Sequence, residues 1–132
     1  MGSTAYLLDT HVLAWALTEP RKLSAKARRV IQSLDHHLVA SAATAYELAY
    51  KHRLGRLPEL DGLLLGYSRH VAELCNEELS INGAHALTAG QLDWEHRDPF
   101  DRMIASQAIV ESMVVITADR VFHEFPLVEA LW

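Results

Sequence analysis

The sequence predicts an α/β protein, a three-layer α/β/α sandwich around a central, mainly parallel sheet, and three observations carry that prediction. Short apolar runs alternate with helix-length segments along the chain, and parallel strands need crossover connections, which are usually helices. The runs are continuous in their apolar character, as strands covered on both faces are. Acids stand at the carboxyl ends of two of them, the edge at which ligands bind in open parallel sheets.

Each element follows from local signals. Tyr6-Leu7-Leu8 reads as a strand ending at Asp9, and Thr10 is placed to cap the helix that His11-Val12-Leu13-Ala14-Trp15 begins. Pro20 ends that helix, and Ser24 caps a second from Ala25 to Leu34. His37-Leu38-Val39-Ala40 is a second buried strand. Ser41 or Thr44 then opens a helix through Glu47 and Tyr50 to Leu54, with Gly55 as its C-cap. Leu63 to Leu74 reads as a helix, Glu78 to Ile81 as a short strand and Ala84 to Leu92 as another helix. Pro99 sets a rigid start for a helix over Phe100 to Val110, and Met113-Val114-Val115-Ile116 is the clearest strand of all. There is no internal repeat, linker or low-complexity segment.

Size and composition bound the function. The 132 residues, half of them hydrophobic, fit one domain spanning residues 1–132 with a real core; Met1-Gly2-Ser3 resembles a cloning remnant and is set aside. Cys75 is the only cysteine, which excludes an intrachain disulfide and argues against a Cys-based zinc site. No apolar stretch approaches the roughly 20 residues of a membrane helix, and the expected location is cytoplasmic. The net charge of −5 argues against a simple cationic nucleic-acid binder. That charge is uneven, because the basic residues concentrate before residue 57. Lys51, His52, Arg53 and Arg56 form a basic cluster that either meets a phosphate backbone or decorates a helix C-terminus, where cations favour the dipole.

Four acidic places then stand out: Asp9 after the first strand, Glu47 within an apolar and aromatic helix, the Asp98/Asp101 pair at a helix start, and Asp119 after the last clear strand. Taken singly, each has a structural explanation as turn residue, cap, i,i+4 partner of Lys51 or helix-start acid. Taken together they converge on one sheet edge, and clustered carboxylates demand counter-charge. Hard oxygen donors without cysteine point to Mg²⁺ or Mn²⁺, one or two ions, and to phosphodiester hydrolysis by metal-activated water. Arg97 and Arg102 either contact a phosphate or neutralise the neighbouring aspartates, and neutralisation is the favoured expectation. His11, His96 and His123 are not needed as bases, and Trp15, Trp94 and Trp132 read as core or interface.

The stretches YLLDTHVLAWAL, SAATAYELAYKHRLGRL, HRDPFDRMIASQA and VVITADRVFHEFP resemble, in order and nearly end to end, the successive motifs of PIN-domain ribonucleases, specifically the VapC toxins of bacterial toxin–antitoxin pairs. The resemblance implies that Asp9, Glu47, Asp101 and Asp119 are the catalytic and metal-holding acids. It makes Asp98 of the DPFDR variant an accessory ligand or supporting group, and lets Thr117 orient a water. It implies a PIN-like fold, cleavage of RNA to a 5′-phosphate and a 3′-hydroxyl, a homodimer and higher toxin–antitoxin assemblies. It also implies inhibition by a VapB-like antitoxin that places a basic side chain among the carboxylates. Arg53 and Arg56 are the better candidates for RNA contact, with Lys51 behind them. The helices within LLDTHVLAWAL and ATAYELAY supply either monomer core or dimer and antitoxin surfaces.

Two rivals differ in class. A catalytically silent PIN-like binding or scaffold protein would keep the fold and have no turnover to lose. A phosphotransfer or receiver-type domain would use Asp9 as nucleophile or a phosphoacceptor after a middle strand. His11 stands where the former needs a second acid, and no such aspartate follows Leu38-Val39-Ala40.

Overall fold

A computed structural model describes residues 4–132, so the remnant-like residues 1–3 lie outside the described residues. Five strands, β1 (Ala5–Leu8), β2 (His37–Ser41), β3 (Glu77–Leu79), β4 (Val114–Ile116) and β5 (Ala130–Leu131), form one sheet in the order β3-β2-β1-β4-β5. Every pairing is parallel. The chain winds from β1 toward β2 and β3, then returns to add β4 on the other side of β1. That reversal puts a switch point between β1 and β4, where a crevice opens at the strand ends.

Alternation along the strands divides the core into two layers. Tyr6, Leu8, Leu38, Ala40 and Ile116 face Val12 and Leu13 of α1 (Thr10–Thr18), Ala27 of α2 (Ala25–Gln32) and Leu48 of α3 (Ala42–Arg53). Leu63 of α4 (Asp61–Leu65) and Val71 of α5 (Tyr67–Leu74) complete that side. Leu7, Val39 and Val115 face the opposite way. They pack against Ile104, Ala105 and Ala108 of α7 (Pro99–Glu111) and Phe122 of α8 (Arg120–His123). Between β3 and α7, α6 (Gly83–Gln91) starts with a capping box in which Asn82 and His85 exchange bonds.

The differences from the sequence reading have local causes. The helix expected over Leu63–Leu74 is two helices meeting at Gly66, and α2 stops at Gln32, two residues short of Leu34. The third strand is displaced to Glu77–Leu79 because its register is fixed by Val39–Ser41 of β2. β5, two residues long, is too short to leave a pattern and is held by the Val115 and Thr117 N–H groups of the β4 segment. No helix among the described residues is long and apolar enough to cross a membrane. In α1 the face carrying Val12, Leu13 and Ala14 is core, whereas α3 leaves Tyr46 and Tyr50 exposed on its outer side.

Candidate functional site

The site forms where β1 and β4 end side by side. The Asp9 N–H donates to the Ile116 carbonyl at 3.0 Å, so both strand ends stop at one level. Asp9 has extended backbone and caps α1, its Oδ1 accepting from the Thr10 N–H at 2.8 Å. Its Oδ2 accepts from the Thr117 hydroxyl, also at 2.8 Å. Thr10 is therefore not the cap expected of it. With Asp9 performing that role, its hydroxyl is free to donate to Glu47 Oε1 at 2.6 Å, with Thr44 Oγ1 3.2 Å away.

Glu47 reaches the site from the inner face of α3, one turn beyond Thr44, and is 2% exposed. The next turn supplies Lys51, whose Nζ donates to Glu47 Oε2 at 2.5 Å. Lys51 is thus the i,i+4 partner of Glu47 that the spacing allows, with its ammonium turned inward onto a buried acid. Arg53 and Arg56 are exposed, and the Arg53 guanidinium lies 5.7 Å from the centre of the Tyr50 ring.

The third contribution is the start of α7. Asp98 is its N-cap, with Oδ1 accepting from the N–H groups of Phe100 and Asp101 and Pro99 in the first turn. The helix terminus itself thus offsets the charge of Asp98. Asp101 lies one turn inward, and its Oδ2 is 2.7 Å from His96 Nε2. The His96 ring packs against Trp94 at 5.0 Å, and Trp94 stacks on Phe125 at 4.4 Å. Arg102 does not neutralise the aspartates as expected. Its guanidinium donates to the carbonyls of Ala89, Leu92, Trp94 and His96, clamping the loop that presents His96 to Asp101. Five N–H donors in a fixed fork suit four carbonyls better than one carboxylate.

Asp119 follows β4 and caps α8, its Oδ1 accepting from the Val121 N–H at 3.1 Å. It is exposed, unlike Asp9 and Glu47. Thr117, fully buried, ties it to the rest, because the hydroxyl that donates to Asp9 also accepts the Asp119 N–H at 2.9 Å.

Electrostatics mark the acids as one group. Burial pushes the Asp101 carboxyl up to about 7; the hydrogen bond from His96 opposes this, and the charges of Asp9, Asp98 and Glu47 add to it. Asp9 is raised as well, chiefly by burial, with bonds from Thr117 and Thr10 and the charge of His11 working against it and Glu47 with it. Excess negative charge in a low-dielectric crevice is what a bound cation relieves.

Among the described residues no three His, Cys, Asp or Glu side chains are arranged to hold a metal ion. The carboxylate oxygens are engaged within the chain: Lys51 and Thr10 hold Glu47, His96 holds Asp101, and Thr10 and Thr117 hold Asp9. The donor chemistry fits a hard divalent ion, because the acids supply only oxygens and the structure leaves their mutual repulsion incompletely compensated. Sequence reasoning named Thr10 and Thr44 as caps and set His96 aside as a base; it did not assign Thr10 and Thr44 to Glu47 or His96 to Asp101.

Comparison with known proteins agrees with this fold. The PIN-domain family matches residues 6–127. Ribonuclease VapC22 of Mycobacterium tuberculosis is 32% identical over 132 residues, covering 98% of this chain and 99% of that protein. Among solved structures, VapBC2 from Rickettsia felis bound to a DNA fragment from its promoter superimposes with a TM-score of 0.68 at 19% identity, covering 97% of this chain and 98% of that one. VapBC-1 from nontypeable Haemophilus influenzae gives 0.65 at 24% identity, covering 97% of each chain. Fold, family match and full-length similarity coincide, and the chain belongs to the PIN-domain family.

Proposed function

We propose that this chain is a single PIN domain acting as a Mg²⁺- or Mn²⁺-dependent endoribonuclease, the toxin of a VapBC-type pair. The observation that carries the reading is the convergence of Asp9, Glu47 and Asp101, from a strand end and two helices, where burial raises the proton affinity of Asp9 and Asp101 and the charge of Glu47 adds to both. The similarity to a ribonuclease over nearly the whole chain supports it.

In this reading Asp9, Glu47, Asp101 and Asp119 hold one or two ions, with Asp98 in support. A bound ion supplies charge stabilisation for the phosphodiester and activation of a water. The residues of the chain do the positioning. Thr117 fixes the Asp9 carboxylate, Thr10 fixes Glu47, and His96, held by Trp94 and the Arg102-clamped loop, fixes Asp101. In the hydrolysis the water oxygen bonds to phosphorus, the bond from phosphorus to the 3′-oxygen breaks, and a proton passes to that oxygen. The products are a 5′-phosphate and a 3′-hydroxyl.

Arg53 and Arg56, one helical segment beyond Glu47, supply phosphate contacts to an RNA lying across the crevice. The exposed Tyr46 and Tyr50 of α3 form a surface for a second copy of the chain. A VapB-like antitoxin inhibits by setting an Arg or Lys among the carboxylates, a counter-charge in place of the ion.

Titration of Mn²⁺ into wild type and Asp9→Asn, paired with cleavage of a structured RNA, tests the reading. Binding and metal-dependent cleavage in the wild type, both lost in a folded Asp9→Asn, are expected. A wild type that binds Mn²⁺ without cleaving any RNA offered would favour the silent scaffold.

A further inference from the structure

Glu47 is as fully occupied as Asp9, and one of its occupants is itself a cation. Both carboxylate oxygens are engaged, Oε1 by Thr10 at 2.6 Å and Oε2 by Lys51 at 2.5 Å. The side chains of Lys51 and Glu47 are 20% and 3% exposed, so water screens the pair weakly. The spacing is i,i+4 with the acid on the N-terminal side, the orientation a helix favours. An ammonium is a compact point charge on a flexible stem with three donors. It can sit where a small cation sits, and it can leave without moving the backbone.

We infer that Lys51 is the chain's own occupant of the cation position at Glu47, and that a divalent ion binds there only by displacing it. The inference rests on the metal-dependent reading of the site. Lys51 and the ion compete for one oxygen and repel each other, so the pair holds the metal-free crevice together and sets a threshold for loading. Thr10 need not move, because it holds the other oxygen in both states.

Competition and simple positioning predict opposite signs. If Lys51 only orients Glu47 for the ion, removing it weakens metal binding; if it competes, removing it tightens binding. Calorimetric titration of Mn²⁺ into wild type, Lys51→Met, Glu47→Gln and the double variant separates the two. Lys51→Met keeps the aliphatic stem and is expected to bind Mn²⁺ about tenfold more tightly. The metal-free variant should also melt at a lower temperature, and added Mn²⁺ should more than restore it. Lys51→Gln, neutral but still able to donate to Glu47, is the second variant should the methionine form fail to fold, and it should tighten binding in the same direction.

In the Glu47→Gln background, Lys51→Met should leave whatever Mn²⁺ affinity remains unchanged. Weaker or unchanged binding in both Lys51 variants overturns the inference, as does an equal gain with and without Glu47, which would reflect overall charge alone. No Mn²⁺ binding by the wild type or any variant overturns the metal reading itself, an outcome distinct from loss of competition alone.

Discussion

Two buried polar clusters lie within this small domain, and they are built on opposite terms. In the first, Ser41 donates to Gln107 Oε1 at 2.5 Å, and Gln107 Nε2 donates to the Ser80 carbonyl at 3.3 Å with His85 Nδ1 3.4 Å away. His85 Nδ1 accepts the Asn82 N–H, and its Nε2 lies 2.8 Å from Glu111. Ser41, His85 and Gln107 are completely buried, and each finds partners within the chain. The second cluster, Asp9, Glu47 and Asp101 with their threonines, is also hydrogen-bonded, yet burial, with like charges adding to it, holds two of its carboxyls above their ordinary range. A satisfied network fastens α6 and α7 to the sheet; an incompletely compensated one is what the proposed metal-dependent reading puts to use.

Substitution should separate the two sharply. Asp9→Asn is expected to lower metal-dependent cleavage by at least about 10²- to 10³-fold. Because the amide removes a buried charge that Glu47 repels, the metal-free protein should melt at a higher temperature. Cleavage assays beside thermal melts check both halves. A variant that loses activity by losing stability would erase the distinction between the clusters.

Gln107→Leu should do the reverse. Leaving the Ser41 hydroxyl and the Ser80 carbonyl without their partner costs about 2–3 kcal/mol, visible as a lower denaturant midpoint with an unchanged slope. Mn²⁺ affinity of the folded fraction should stay at the wild-type value. A change in metal affinity would show the two clusters to be coupled through α3 and α7.

Thr117→Val sharpens the comparison within the site. Valine keeps the volume but removes the hydroxyl that joins Asp9 to the Asp119 backbone. Supporting bonds to ligands of this kind typically carry about a tenfold effect on metal affinity, so that loss is expected in a Mn²⁺ titration. An unaltered affinity would leave Thr117 with the lesser task of ending β4.

The same contrast explains what could be read from the chain. β1, β2 and β4 were legible because they are continuous apolar runs, and Asp9 and Asp119 because they end two of them. Glu47 was legible as an acid in an apolar helix. The roles of Thr10 and Arg102 were not, since both depend on what their neighbours had already taken. Asp9 caps α1 and frees Thr10, and the carbonyls of residues 89–96 claim Arg102. The Ser41–Gln107–His85 network joins residues far apart in sequence, and polar residues in apolar segments announce burial without naming a partner. β5 has too few residues to carry a period.

The smallest expected effect lies outside both clusters. Arg53 and Arg56 are exposed at the end of α3, beyond the low-dielectric crevice, so the RNA contact proposed for them is one of screened charge. Arg56→Ala should weaken binding of a single-stranded RNA to the metal-free protein only a few-fold, across sequences alike, and should reduce the slope of log affinity against log salt by about 1. Arg53→Ala should do the same and also release the Tyr50 ring that its guanidinium covers. Anisotropy titrations over a range of salt concentrations read both quantities. A sequence-dependent loss at Arg56 would move specificity onto the basic end of α3, whereas a uniform loss leaves that helix end to attract the backbone and leaves discrimination to the crevice.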